Sequence, residues 1–237
     1  MGLPFYLAMN AAEIATTVKI PPMAWMSCHF SPCSDMLTNL PLWLPEGSLI
    51  IVDDRFPCKG HSGHAIARQL SNTVSRFCCG GVILDFQGPE NEETASIASV
   101  LLQALPCPVA VSDLYAASFQ SAVFLSPGPL WEPPAEHWKA WPGREVWLDA
   151  SLCQQQVSVT PEGPLPGPIL PWDGDGDGFY DDRLRCHYRT IVEENSICFT
   201  FFDRPESMAK KLELAADLGI SRAIGLWQHS ETFLQGK

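Results

Sequence analysis

Short apolar runs recur along this chain, separated by segments of helical periodicity. Eight runs have strand character: residues 22–27, 48–52, 81–86, 108–111, 121–125, 145–148, Ile197–Phe202 and 222–227. Most are brief and rich in Val, Ile, Leu or Phe, as strands buried on both faces are. Residues 64–77 place Ile66, Leu70, Val74 and Phe77 on one helix face. Residues 92–105 repeat the pattern through Ile97, Leu101 and Leu105, with Asn91 as N-cap. Residues 205–218 repeat it through Met208, Leu212 and Ala215. That helix opens on Asp203-Arg204-Pro205-Glu206, a capping Asp followed three residues on by Glu, and Gly219 ends it. Helices after the first, fourth and fifth runs read as short or broken. Residues 127–134 and 138–143 are instead rich in proline and tryptophan.

Alternating strands and helices imply a parallel sheet with right-handed crossovers. Eight repeats predict closure into an α/β fold of (β/α)8 TIM-barrel type, with an open doubly wound sheet as the alternative. The 237 residues fit one such barrel, residues 1–237 as a single domain. Residues 154–189 interrupt the rhythm and read as an elaborated loop over one end. Neither G-x-G-x-x-G nor G-x-x-x-x-G-K-[ST] occurs, so a nucleotide cradle has no support.

Composition narrows the partners. Hydrophobic residues make up 46% of the chain, and no window approaches the ~20 uninterrupted apolar residues of a membrane span. A net charge of −12 argues against nucleic acid, whose phosphates need clustered Lys and Arg. The first twenty residues carry Glu13 and no base ahead of their apolar run, which argues against a secretory signal. Nine cysteines, several inside apolar runs and none spaced C-x-x-C, read as buried free thiols of a reducing, cytoplasmic compartment. Cys28-His29 with Cys33, and Cys186-His187, are incomplete as metal sets.

The polar residues that trail the strands carry the candidate chemistry. They are Cys28 and His29; Asp53 and Asp54; Asp85 and Gln87; Asp113 and Tyr115; Ser126; Asp149; Asp203; and Trp227 with Gln228. In a closed parallel barrel the C-terminal strand ends meet on one rim, so these acids converge on a pocket. Asp85 stands out. It closes the apolar strand Gly81-Val82-Ile83-Leu84, where a carboxylate must find partners or shift its pKa.

Residues Gly80–Gln87 resemble the strand that carries D-x-x-D-x-D-x-E in family 18 glycoside hydrolases, the chitinase and spore-cortex-lysin group. Phe202-Asp203-Arg204-Pro205-Glu206-Ser207, the helix with Lys210 and Lys211, and Ala223-Ile224-Gly225-Leu226-Trp227 are similar to that family's last strand–helix–strand unit. The resemblance covers about a quarter of the chain. It implies a barrel acting on N-acetylated amino sugars. There a glutamate protonates the glycosidic oxygen, the substrate's acetamido oxygen attacks the anomeric carbon, aspartates hold the acetamido group, and a tryptophan floors the pocket. Asp85 matches the last aspartate and Trp227 the floor. Gln87 stands in the place of the acid, and Gly80 and Ile83 in the places of the other aspartates.

A glutamine donates no proton, and general acid help is typically worth about 10²–10⁴-fold. The resemblance therefore implies a saccharide-binding or catalytically impaired relative, with Asp53, Asp113, Tyr115, Asp149, Asp203 and Trp227 around the ligand. Two alternatives stand. One is an active hydrolase with a relocated acid, such as Glu90, Glu92, Asp113 or Asp149. The other is a barrel enzyme for an unrelated small molecule. The motif falls on the third predicted strand, whereas the family carries it on the fourth. Either residues 5–8 are an extra strand or the N-terminal half is shortened.

Asp173-x-Asp175-x-Asp177-Gly178 imitates the start of a calcium loop, with Asp181 at position 9. Leu184 holds the place of the closing Glu, so a full EF-hand is excluded and only a looser calcium site is left. Eight tryptophans, among them Trp131, Trp138, Trp141, Trp147 and Trp172, suit either a sugar-stacking groove or a packed outer layer.

Overall fold

The computed structural model describes residues 2–16, 23–174, 176–192 and 195–229. Its strands are β1 (Phe5–Met9), β2 (Met23–Phe30), β3 (Leu37–Thr38), β4 (Leu49–Asp53), β5 (Gly81–Asp85), β6 (Val109–Ser112) and β7 (Ala122–Leu125). They continue as β8 (Val146–Asp149), β9 (Cys153–Thr160), β10 (Gly163–Pro171), β11 (Phe179–Asp181), β12 (Cys186–Val192), β13 (Ile197–Phe202) and β14 (Arg222–Leu226). The helices are α1 (Ala11–Thr16), α2 (Gly63–Phe77), α3 (Glu92–Ala104), α4 (Asp113–Ala116), α5 (Pro134–Trp138) and α6 (Pro205–Asp217).

Eight parallel strands form a ring in the order β1-β14-β8-β7-β6-β5-β4-β2, closed by pairing of β1 with β2. The fold is a (β/α)8 barrel with short helices at α4 and α5. The run at 22–27 starts at Pro22, outside the described residues, and continues as β2. Residues 5–8 prove to be the first barrel strand, so β5, with the motif, is fourth in the ring. That removes the discrepancy with the family's strand count.

The run Ile197–Phe202 is not a barrel strand. It forms β13, central in a second, antiparallel sheet of order β10-β9-β13-β12-β11. Residues 154–189 are correspondingly strand in large part rather than irregular loop. The run misled because Phe199 and Phe201 lie on one face of the sheet and Cys198 and Phe202 on the other, both with packed neighbours. Continuous apolar residues mark burial on both faces, not the direction of pairing. This sheet leaves the barrel directly after β8. It packs Cys153, Val157, Cys186 and Phe201 on Leu130 and Trp131 of the loop after β7.

Alternation along the barrel strands sorts side chains inward and outward. The interior holds Ala8, Ala24, Leu49, Ile51, Ile83, Ala110, Phe124, Trp147 and Ile224. Trp147 fills the N-terminal end, fully buried. A Cβ on Gly81 would stand 2.6 Å from its Cη2, so the close approach of ring and strand requires glycine there. Arg222 lies over the Trp147 ring at 4.2 Å and donates to the Gly80 carbonyl at 3.0 Å. The barrel is therefore plugged at one end and open at the other. Outside, α2 buries Ile66, Ala67, Leu70 and Val74, the face its periodicity marks, and its N-cap Ser62 accepts from the Ala65 amide. Asn91 caps α3 through its side chain as expected.

Candidate active site

The same parity that sends Ile51, Ile83 and Trp147 inward sends Asp53, Asp85 and Asp149 inward two residues later. Their strands end at one rim: Asp53 is in register with Asp85, and Asp149 with Ile224. Together they line an open cavity of about 300 Å³. Its floor is apolar, from Ala8, Ile51, Phe124, Ile224 and Leu226; its polar wall adds Asp54, Arg55, Gln87 and Ser151.

Each acid has a distinct environment. Arg55 grips both oxygens of Asp53, Nε at 2.9 and 3.0 Å and Nη2 at 2.7 Å, and this bond holds the guanidinium pKa above its ordinary value. Asp54 accepts the backbone amides of Gln87 and Gly88, each at 2.9 Å. That ties the loop after β5 to the end of β4. A Cβ on Gly88 would meet Asp54 Oδ2 at 2.9 Å, so the clasp needs glycine. Asp149 Oδ1 accepts from the Ser151 amide at 2.9 Å and hydroxyl at 2.6 Å. Burial still pushes the Asp149 carboxyl above its usual range, with Asp113 adding to the rise.

Asp85 accepts a hydrogen bond from Gln87 Nε2 through Oδ1. Burial is the first cause that pushes its carboxyl up to about 7. The Gln87 bond opposes the rise, and the charges of Asp149, Asp53 and Asp54 reinforce it. Near neutrality Asp85 is thus shared between its acid and carboxylate forms, a property common at functional sites. Gln87 is exposed and presents an amide, not an acid, to the mouth. Ile83 is fully buried in the barrel interior, and the backbone of Gly80 packs on Gly47.

Four expected site residues lie elsewhere. Tyr115 is fully buried behind the rim. Its ring packs on Phe86 at 5.6 Å between centroids, and its hydroxyl donates to the Pro89 carbonyl at 3.0 Å. Asp113 opens α4, bonded to the Leu114 amide and to the Ser126 hydroxyl at 2.7 Å, and does not line the cavity. Asp203 follows β13 rather than a barrel strand. It is 1% exposed and paired with the Lys211 ammonium at 2.7 Å. It is not the cap of α6 either: the N-cap is Arg204, whose amide donates to Ser207 Oγ at 2.8 Å. Trp227 follows β14, at the start of a helical turn. It packs against the core outside the barrel, so Ile224 and Leu226 form the floor in its stead.

Asp173, Asp177 and Asp181 each have a partner within the protein. Asp173 accepts from Gln154 Nε2 at 3.2 Å, Asp177 lies 3.5 Å from Arg204, and Asp181 accepts the amides of Arg183 and Leu184. Asp175 lies outside the described residues. Among the described residues no cluster of three or more His, Cys, Asp or Glu could hold a metal ion. The sequence reading missed Arg55 and Ser151. Each lies two residues beyond an inward acid, the spacing at which a turn residue bonds back to a carboxylate.

No family model matches the chain, and no curated protein is similar in sequence. Solved structures share its fold. A family 18 chitinase from Cycas revoluta superposes with a TM-score of 0.57 at 12% identity, over 95% of this chain and 94% of that one. It is a double mutant with one glutamate replaced by glutamine, in complex with (GlcNAc)4. A family 18 N-acetylglucosaminidase from Paenibacillus barengoltzii gives 0.56 at 10%, over 95% of each chain. The spore cortex-lytic enzyme SleL of Bacillus cereus gives 0.55 at 12%, over 95% of this chain and 71% of that one. The barrel is therefore of the kind seen in family 18 glycoside hydrolases.

Proposed function

We propose that this chain is a saccharide-binding barrel that takes amino-sugar oligomers at the mouth beside Asp85, and that Gln87 leaves it impaired as a hydrolase. The observation that carries this reading is the placement of Gln87, at the rim of the cavity and bonded to Asp85. An amide there can hold a sugar oxygen but cannot release a proton to a leaving alkoxide. The chitinase that carries glutamine for one glutamate is a complex with (GlcNAc)4, which supports binding by a barrel that has lost an acid. Calorimetric titration with N-acetylglucosamine oligomers tests the reading: saturable binding supports it, and none at any length removes it.

The second reading, hydrolysis by a relocated acid, gains from Asp149. It lines the cavity, and burial favours its protonated form. The other candidates are worse placed. Glu90 accepts from Ser118 outside the cavity, Glu92 lies in the first turn of α3, and Asp113 is bonded to Ser126. Assay of sugar release by the unmodified chain separates binder from enzyme. An unrelated small molecule is favoured only if no saccharide binds.

The net charge of −12 supports a partner other than nucleic acid. No described helix is long and apolar enough to cross a membrane. All nine cysteines are free, which supports a reducing, cytoplasmic setting.

A further inference from the structure

A cavity of about 370 Å³ lies outside the barrel mouth and shares no described lining residue with it. Two short turns frame it. In the loop after β2 the Ser31 amide donates to the Met36 carbonyl at 3.0 Å, and the Cys33 amide donates to Ser31 Oγ at 3.2 Å. In the turn before α2 the His61 amide donates to the Cys58 carbonyl at 3.0 Å. Ser31, Ser34 and Asp35 reach the cavity from the first turn, Lys59 and His61 from the second.

The polar groups here are unspent, unlike those of the mouth. Among the described residues neither Lys59 nor Asp35 has a hydrogen-bond or ion-pair partner, although the two opposite charges line one cavity. Both ring nitrogens of His61 are buried and unpaired, a state that native proteins rarely leave without a bound group. We propose that this cavity is a second ligand site, which takes a free α-amino acid with a short side chain: Lys59 meets its carboxylate and Asp35 its ammonium. A simple anion is repelled by Asp35 and a simple cation by Lys59. A neutral sugar leaves both charges without a partner. A zwitterion matches both, and each contact is a charge-assisted hydrogen bond. Ser31 Oγ already accepts from Cys33 and keeps its own proton to donate. Pro32 and Pro57 add rigid apolar wall for a methyl-sized side chain, and the volume is that of a small-ligand site.

Titration of the full chain with L-alanine, N-acetyl-L-alanine and L-alaninamide at neutral pH, followed by nuclear magnetic resonance, tests this. L-Alanine is expected to bind saturably and roughly tenfold tighter than either blocked form, the worth of one charged hydrogen bond. Lys59→Gln abolishes the preference over the amide, and Asp35→Asn the preference over the acetylated form. Both side chains are exposed, so neither substitution threatens the fold. Absence of saturable alanine binding, equal binding of the blocked forms, or a preference that survives both substitutions overturns the site. The inference stands apart from the saccharide reading: (GlcNAc)4 titrates the mouth, so either site can fail without the other.

Discussion

Gln87 donates its side-chain amide to Asp85, two residues earlier on the same chain, and so occupies one oxygen of the buried acid in the barrel mouth. A glutamate there would do the opposite, setting a second carboxylate against the first. Gln87→Glu is therefore expected to raise the Asp85 pKa further and to install a proton donor. If the remaining geometry suffices, cleavage of N-acetylglucosamine oligomers rises by about 10²–10⁴-fold. Reducing-end release checks this; unchanged release shows that the rest of the site is not built for hydrolysis.

Asp85 also makes stability depend on pH. Its carboxyl goes from 3.8 in the open chain to about 7 in the fold, so between those values the folded state holds a proton that the unfolded state has lost. Stability then falls as pH rises from about 4 to about 7, levels off above, and shows no contribution from this group below both values. The full effect is at most about 4 kcal/mol. Asp85→Asn is expected to raise Tm at alkaline pH and to change it little in acid. A Tm profile of the variant parallel to the parent's excludes the assignment.

The buried pair Asp203–Lys211 serves the fold rather than the ligand. Lys211→Met strands a carboxylate that is 1% exposed and should cost about 3–5 kcal/mol in urea unfolding. Lys211→Met combined with Asp203→Leu should cost less than Lys211→Met alone. Neither change should alter the affinity of whatever saccharide binds.

Gly81→Ala drives a methyl to within 2.6 Å of the Trp147 ring and 3.0 Å of the Pro108 carbonyl. Overpacking of this kind costs about 1–3 kcal/mol, seen as a lower denaturant midpoint. Gly81→Ala combined with Trp147→Phe should recover part of the loss, because the offending ring atom is removed.

Trp227→Ala should lower stability by about 1–3 kcal/mol and leave saccharide affinity unchanged, since the indole packs outside the barrel. A selective loss of affinity would return Trp227 to the floor of the pocket.

The acids Asp53, Asp85 and Asp149 were legible because each ends an apolar run whose inward residues lie at even spacing before it. Trp227 stands one residue past β14, where a helical turn begins, and the indole packs outside the barrel, a placement that the motif alone does not encode. Asp113 and Tyr115 follow a strand as the rim residues do, yet α4 begins at Asp113 and turns both away. Asp203 followed an apolar run that belongs to another sheet, a distinction periodicity does not encode. Phe5–Met9 was ambiguous because no long helical pattern follows it: α1 has six residues. Arg55 and Ser151 act through turns, where spacing to the preceding acid was the available sign.

β1 is zipped between β2 and β14, so Phe5 lies in register with Ala223. While a ribosome is still making this chain, seven strands can associate but the seam has no second lip. Two unpaired edges stay open until β14 has emerged. Completion of the cylinder waits on the pairing of β1 with β14, a contact between residues far apart in sequence and a slow class of event. Factors that shield nascent chains would act on this protein over that interval.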